Sequence, residues 1–358
     1  MPKQSFSRAL LDWYERHKRP LPWRTSKDPY IIWLSEIILQ QTRVEQGLPY
    51  FHRFVEKYPT VEDLAQAPLD EVLKQWEGLG YYSRARNMHR AARRVAGADQ
   101  GFFPDTAQGL AQLPGVGPYT SRAIASMAYG EAVAVLDGNV FRVMSRLEAE
   151  EAPINKPQNR ALFQELVEQR LDHQRPGTFN QAIMELGALV CTPRKPACAQ
   201  CPVQEHCKAY AAGNQEKYPV KVRRKAKKDR YLHYLFLRQE DKVALEQRQE
   251  GIWQGLYQFP LVEATAALSP RELGAQAEKE GLLSRPEEVS QASSVLPPHA
   301  LTHQQLHLQV FEVNLAHGEA PGAEGLEWVS VGRLKELAFP RPLRRWLDQK
   351  QLILPFPK

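Results

Sequence analysis

All four cysteines of this 358-residue chain, Cys191, Cys198, Cys201 and Cys207, fall within the 17-residue stretch CTPRKPACAQCPVQEHC. Disulfides that close long loops would be spread along the chain, and thiols kept for packing would be scattered singly. The crowding therefore points to four ligands of one metal site. The spacing C-x6-C-x2-C-x5-C contains a single close pair, whereas a zinc ribbon uses two such pairs separated by a longer arm. Iron–sulfur clusters are also held by four thiolates, so spacing alone leaves zinc and iron–sulfur both open. A pair of disulfides is the third alternative, in a chain whose start reads as an amphipathic helix, MPKQSFSRALLDWYERHKRP, and not as an export signal.

Composition sets the frame around that stretch. With 43% hydrophobic residues the chain can bury cores for two or three domains. No apolar run reaches the roughly 18 residues that cross a bilayer, which predicts a protein without a membrane partner. The formal charge of +6 is unevenly shared: residues 1–230 hold 34 Lys and Arg against 25 Asp and Glu, while residues 231–358 hold 13 against 16. A basic half beside a mildly acidic one suggests a polyanion partner for the first half, although a solvated surface can carry the same excess.

The pattern of the chain changes where the charge does. From about residue 5 to 215 apolar residues recur at helical spacing, as in Leu64, Val72, Leu73 and Trp76, with Pro and Gly marking short connections. A basic run follows, with seven Lys and Arg between Lys221 and Arg230, which reads as a solvated linker able to touch phosphates. Beyond it YLHYLFLR, KVALEQR and LHLQVFEVNL alternate like strands. The predicted domains are a helical domain over 1–217, a linker over 218–230 and an α/β domain over 231–358.

Two segments of the helical half carry chemistry. In LPGVGPYTSRAIASMAYG, residues 113–130, Gly115 and Gly117 permit a tight turn, and a helix starting near Pro118 leaves its first N–H groups free for a phosphate. Twenty residues on, AVLDGNVFRVMSRL places Asp137 at a turn before another apolar helix, where a plain N-cap is the ordinary role of an aspartate. Glu36 is the third carboxylate of interest: five of its six neighbours within three positions are apolar. Desolvation there would raise its pKa and leave an acid able to donate a proton near neutral pH. A buried glutamate paired with an arginine would fit the same pattern.

The order LPGVG hairpin, Asp137 in LDGNV, then the four-cysteine loop resembles the endonuclease III superfamily of DNA glycosylases. The segments WLSEIILQQT (33–42) and GLGYYSRARN (78–87) are similar to its adenine-specific branch. The resemblance implies a mainly α helix-hairpin-helix glycosylase domain with an iron–sulfur cluster loop, followed by an α/β Nudix-like domain. It implies a [4Fe–4S] cluster on the four cysteines, a monomer in the cytoplasm at the nucleoid, and duplex DNA with adenine opposite 8-oxoguanine or guanine as substrate. Glu36 becomes the acid that protonates adenine, and Asp137 the charge that stabilises the sugar cation, with Tyr119 and Asn139 beside them. Trp23, Arg24, Leu39 and Gln181 would surround the flipped adenine; Gln41, Thr42, Tyr81, Gly115 and Gly117 would contact DNA. Endonuclease III has a lysine at the position of Tyr119, and a phenol cannot form an imine with the sugar, so a monofunctional glycosylase is expected.

The last third resembles the Nudix-like domain of that branch, most clearly in GIWQGLYQFP at 251–260. The helix that holds magnesium in Nudix hydrolases corresponds to AEKEG at 277–281 and lacks most of its glutamates, which predicts binding without hydrolysis. The 8-oxoguanine loop of the family, usually Phe-Ser-His, reads Leu301, Thr302, His303 here. His299, His303 and His307 share a spacing of four, but LTHQQLHLQVFEV reads as a loop entering a strand and not as a metal-binding helix. Two other classes remain: an endonuclease III-like enzyme for another base, and a docking protein without catalysis, for which neither Glu36 nor Asp137 would be needed.

Overall fold

A computed structural model of the chain describes residues 5–98, 100–222, 227–285, 289, 293–315 and 325–352. They form two units, one from Met1–Gln66 and Asn87–Arg224, the other from Ala67–Arg86 and Lys225–Lys358. No helix among the described residues is long and apolar enough to cross a membrane.

The first unit is helical. Helix Pro29–Leu39 starts where Asp28 accepts the Tyr30 N–H at 2.8 Å, with Pro29 at the first turn. Apolar on nearly every side, it is buried against helices Val44–Lys57 and Pro118–Ile124. Helix Pro176–Leu189 packs between Phe6–His17 and Gly138–Glu148. Its buried Asn180 accepts the Val135 N–H at 3.0 Å and donates to the Val133 carbonyl at 2.8 Å. That bond pair fixes the extended segment leading to Asp137, whose own peptide groups have no helix or sheet to satisfy them.

The second unit is a mixed sheet: β1 (Lys228–Gln239), β2 (Lys242–Gln247), β3 (Tyr257–Gln258), β4 (Leu261–Ala264), β5 (Ser293–Val295), β6 (His299–Ala300), β7 (Gln304–Asn314) and β8 (Glu327–Ser330). The order is β3-β2-β1-β7-β5, with β4 also on β1, β6 on β7 and β8 on β2. β1 and β7 run parallel, the other pairs antiparallel. Alternation along β1 sends Leu232, Tyr234 and Phe236 to one face, where helix Arg341–Gln349 covers them with Leu343, Trp346 and Leu347. Leu235 and Leu237 go to the other face, under Leu273 and Ala277 of helix Pro270–Lys279.

Two features depart from the predicted boundaries. β1 begins at Lys228, inside the stretch expected as linker, of which residues 223–226 lie outside the described ones. Residues 67–86, expected in the helical half, belong to the sheet unit. Glu77 explains the second departure: its carboxylate accepts the Phe339 N–H at 3.1 Å and pairs with Lys74 at 2.9 Å and Arg344 at 3.5 Å, while Lys74 donates to the Leu337 carbonyl at 2.9 Å.

The two glycines of the LPGVG turn differ physically. Gly115 has φ +77°, and a Cβ there would lie 2.6 Å from Asn87 Cβ; Gly117 has φ −89° and open space around its missing Cβ. Gly115→Ala is expected to cost about 1–3 kcal/mol through backbone strain and overlap. Gly117→Ala should change stability by no more than about 0.5 kcal/mol. Thermal melts of the two variants check this; equal losses would show that both glycines serve packing.

Candidate active site

Helix Pro29–Leu39 and the N-termini of helices Pro118–Ile124 and Gly138–Glu148 meet at a cavity of about 500 Å³. Glu36, Tyr119, Asp137 and Asn139 line it, as do Trp23, Arg24, Leu39, Gln41, Thr42 and Gln181. Thus the residues expected in catalysis and around the base share one cavity with two of those expected on DNA. Gly115 and Gly117 lie on the turn leading into it; Tyr81 and residues 301–303 belong to the second unit.

Glu36 is 8% exposed, and burial pushes its carboxyl up from 4.5 to about 7, against the lowering effect of the Tyr119 hydroxyl. Nearby Asp137 raises it further. The Tyr119 hydroxyl lies 3.2 Å from Met184 Sδ and within hydrogen-bonding influence of Glu36; burial and the two carboxyls push its pKa well above the ordinary phenol value. It therefore remains a donor. Asp137 caps its helix by accepting the Val140 N–H at 2.7 Å and also accepts Asn139 Nδ2 at 2.9 Å. Burial raises its pKa, and these donors with Arg142 oppose the rise. The N-cap role and a place in the cavity wall coexist in one side chain.

A residue that the sequence reading missed completes the pocket. Glu185, 1% exposed, accepts from Arg24 at 2.9 and 2.7 Å, from Arg19 at 2.9 and 2.7 Å, and from the Arg19 N–H at 2.9 Å. Burial alone would raise its pKa, yet the hydrogen bonds from Arg24 and Arg19 bring it down to about 2. Its sequence signal, a lone carboxylate in the apolar helix QAIMELGAL, is the same one that singled out Glu36. Gln181 accepts the Tyr14 hydroxyl at 2.5 Å, which orients its amide nitrogen away from Tyr14.

Non-glycine residues with positive φ are uncommon and cluster at working sites. Gln41 has φ 58° and Tyr81 φ 48°. Tyr81 is 52% exposed, with its hydroxyl 3.3 Å from that of Thr302. β6 and β7 form a hairpin whose turn, closed by the Leu301 N–H to the Gln304 carbonyl at 2.8 Å, leaves Thr302 and His303 exposed. Leu301 instead packs on the core of the sheet unit. His307 sits on β7, stacked on Tyr231 and bonded to Asp229 at 2.7 Å.

The four cysteines ring a second cavity with apolar walls from Val143, Leu147, Leu186 and Val190. Burial raises the pKa of Cys198 and Cys207 and pushes Cys201 up to about 12, and neighbouring thiolates raise all three further. Such a set needs added positive charge to ionise. Part of it is in place: buried Arg146 donates to Cys191 Sγ at 3.3 Å and to the Thr192 carbonyl at 2.7 Å. Among the described residues no three Cys, His, Asp or Glu side chains close tightly enough on one point for a single ion.

Residues 34–169 match the HhH-GPD superfamily of base excision DNA repair proteins, residues 191–207 the iron-sulfur binding domain of endonuclease III, and residues 233–349 the NUDIX domain. The stretch 191–207 is therefore a segment for a [4Fe–4S] cluster. A solved thermostable thymine-DNA glycosylase superposes with a TM-score of 0.54 at 31% identity, over 58% of this chain and 95% of that one. The adenine DNA glycosylase of Homo sapiens is 46% identical over 224 residues, 59% of this chain and 40% of that protein. The aligned region thus spans about two fifths of that relative. The adenine DNA glycosylase of Buchnera aphidicola subsp. Acyrthosiphon pisum is 35% identical over 262 residues, 73% of this chain and 75% of that protein. A helical unit with two buried carboxyls over one cavity, a cysteine ring and a Nudix unit thus occur together in a chain that belongs to the adenine DNA glycosylase family.

Proposed function

We propose that this chain is a monofunctional DNA glycosylase that hydrolyses the N-glycosidic bond of adenine opposite 8-oxoguanine or guanine in duplex DNA, leaving an abasic site. We further infer that it works as a monomer at the nucleoid. The observation that carries the reading is the split between two buried carboxyls of one pocket: Glu36 raised to about 7 and Glu185 lowered to about 2. One can hold a proton for the leaving base, while the other stays ionised and keeps Arg19 and Arg24 in place. An extruded adenine would be protonated by Glu36 as its bond to the sugar stretches. Asp137 would face the cationic sugar, where the Val140 N–H and Asn139 Nδ2 favour its ionised form against the effect of burial. Tyr119 donates a hydrogen bond toward Glu36 and offers no amine for a covalent adduct with the sugar.

The four sulfurs of Cys191, Cys198, Cys201 and Cys207 would ligate the cluster, which when bound supplies the positive charge that compensates four thiolates. Gly117, with open space at its Cβ, lets a DNA phosphate approach the unpaired N–H groups that follow Pro118. In the second unit Thr302, beside Tyr81, can accept the N7–H that 8-oxoguanine has and guanine lacks. Leu301 anchors that turn in the core, which replaces any stacking role of an aromatic ring there. The likeness to a thymine-DNA glycosylase makes thymine opposite guanine the competing substrate.

Glu36→Gln should reduce single-turnover adenine excision by several orders of magnitude while duplex affinity stays within a few fold. Asp137→Asn should be similarly impaired. Measured on duplexes with adenine opposite 8-oxoguanine and with thymine opposite guanine, preferential release of thymine by the unaltered chain would overturn the adenine assignment.

Protonation of Glu36 fixes two pH dependences. Excision should fall as pH rises through about 7, because the acid is then lost. Stability follows the same group: between about 4.5 and about 7 the unfolded chain releases this proton and the folded chain keeps it, so its contribution is full below 4.5 and is lost as pH rises through 7. Relative to Glu36→Gln, the unaltered chain should therefore lose up to about 3 kcal/mol across that window. Denaturant melts at pH 5 and pH 8 measure it; parallel curves would place the raised proton elsewhere.

Replacing Thr302 and His303 together by Ala should narrow the preference for adenine opposite 8-oxoguanine over guanine by roughly 10-fold or more, at about 1–3 kcal/mol per base contact. Excision opposite guanine should change little. Equal losses on both substrates would reduce the turn to a general DNA contact.

A further inference from the structure

Tyr14, on helix Phe6–His17, does not line the active cavity, yet it touches two residues that do. Its hydroxyl donates to Gln181 Oε1 at 2.5 Å, and the Arg24 guanidinium lies over its ring, 5.5 Å from the centroid. On the adenine reading above, we propose that Tyr14 is a positioning residue for base specificity: it locks the Gln181 amide with its N–H groups toward the base, so that the cavity favours a purine with an acceptor at N1, as adenine has, over one with an N–H there.

The direction of the lock follows from the proton on Tyr14. The side chain is 2% exposed, and burial first, then the charges of Glu185 and Glu15, push its pKa up to about 12 against the opposing effect of Arg24. The phenol therefore keeps its proton, and among the described residues Gln181 Oε1 is its one acceptor. An amide turned the other way would set N–H donors against the hydroxyl and leave that buried proton without an acceptor. With Oε1 held by Tyr14, Gln181 Nε2 has no partner among the described residues and is a donor to spare.

Packing alone does not fix this amide. Gln181 borders two cavities of about 500 Å³ each, the active one and a second lined by Tyr14, Lys18, Lys27 and Thr178. A glutamine in a partition between two open spaces has room to turn over, and the two ends of its amide have nearly the same shape. Arg24 differs: it donates twice to Glu185 and once to the Arg19 carbonyl, and it stays in place without the hydroxyl. The bond to Tyr14 thus decides the orientation of Gln181 and not that of Arg24.

Adenine presents ring acceptors at N1, N3 and N7. N3 and N7 lie two bonds from the nitrogen that carries the sugar, where a proton weakens the bond; N1 lies on the far edge. Hypoxanthine has the same two rings but carries N1–H and a carbonyl at C6. A locked N–H donor completes a hydrogen bond with N1 of adenine and meets N1–H of hypoxanthine donor to donor. An unlocked amide turns over and serves either base.

The test uses the whole chain with its cluster, unaltered and as Tyr14→Phe, Gln181→Ala and both together. Phenylalanine keeps the ring under Arg24 and removes only the hydroxyl. Single-turnover release of adenine and of hypoxanthine is measured opposite 8-oxoguanine, with thermal melts to report folding. Tyr14→Phe is expected to raise the ratio of hypoxanthine to adenine release by about 10-fold, the worth of one hydrogen bond. Gln181→Ala should lose the same discrimination, and Tyr14→Phe should add nothing to it in the double variant, because the hydroxyl acts only through the amide. An unmoved ratio in Tyr14→Phe, with adenine still released by the unaltered chain, overturns the assignment of Tyr14 and leaves the adenine reading in place. So does a ratio that Tyr14→Phe moves as much without Gln181 as with it. If the unaltered chain releases no adenine, the reading fails and the role of Tyr14 fails with it.

Discussion

Removing a carboxyl group from water costs far more when the group is ionised than when it is protonated, and the helical unit meets that constraint in two opposite ways around one cavity. Glu36 has almost no partner to stabilise its charge, so it keeps its proton to about pH 7. Glu185 receives five hydrogen bonds from the side chains and backbone of Arg19 and Arg24 and stays charged. The other parts of the site follow from keeping these environments distinct. Apolar surroundings from helix Pro29–Leu39 serve the first, and the segment carrying Arg19 and Arg24 is fastened to helix Pro176–Leu189 by the second.

Much of this was legible in the sequence, for physical reasons that differ from place to place. The cysteine ring could be read because four thiols in 17 residues have few other uses. Glu36 could be read because a carboxylate flanked by Trp33, Leu34, Ile37, Ile38 and Leu39 must be buried wherever that helix goes. Asp137 read locally as a helix cap, with its further role given only by the resemblance, and the cap it remains; its place in the cavity wall depends on Asn180, which holds the segment before it from 45 residues away, and on its neighbour Asn139. Glu185 escaped because its meaning lies in Arg19 and Arg24, more than 160 residues away in sequence. The domain limits were harder still. Residues 67–86 have the helical periodicity of their neighbours, and nothing local announces that Glu77 would be taken up by Phe339 and Arg344.

In the sheet unit, alternation did most of the work, and it placed β1 and β7 at the centre with a helix over each face. The departure from an aromatic at Leu301 also has a physical sense. A leucine there joins the apolar core, so the turn is held by burial while its two polar neighbours stay accessible.

The assignment of residues 67–86 makes the sheet unit discontinuous: the chain leaves the helical unit, contributes to the sheet unit, returns, and leaves again. A single cut between the two halves would therefore not yield two independent pieces. The fragment ending near residue 222 would carry Lys74 and Glu77 without their partners, and the remainder would lack the acceptor for the Phe339 N–H. A protein assembled by fusing a ready-made helical domain to a ready-made sheet domain would therefore have to supply residues 67–86 to the sheet unit as well.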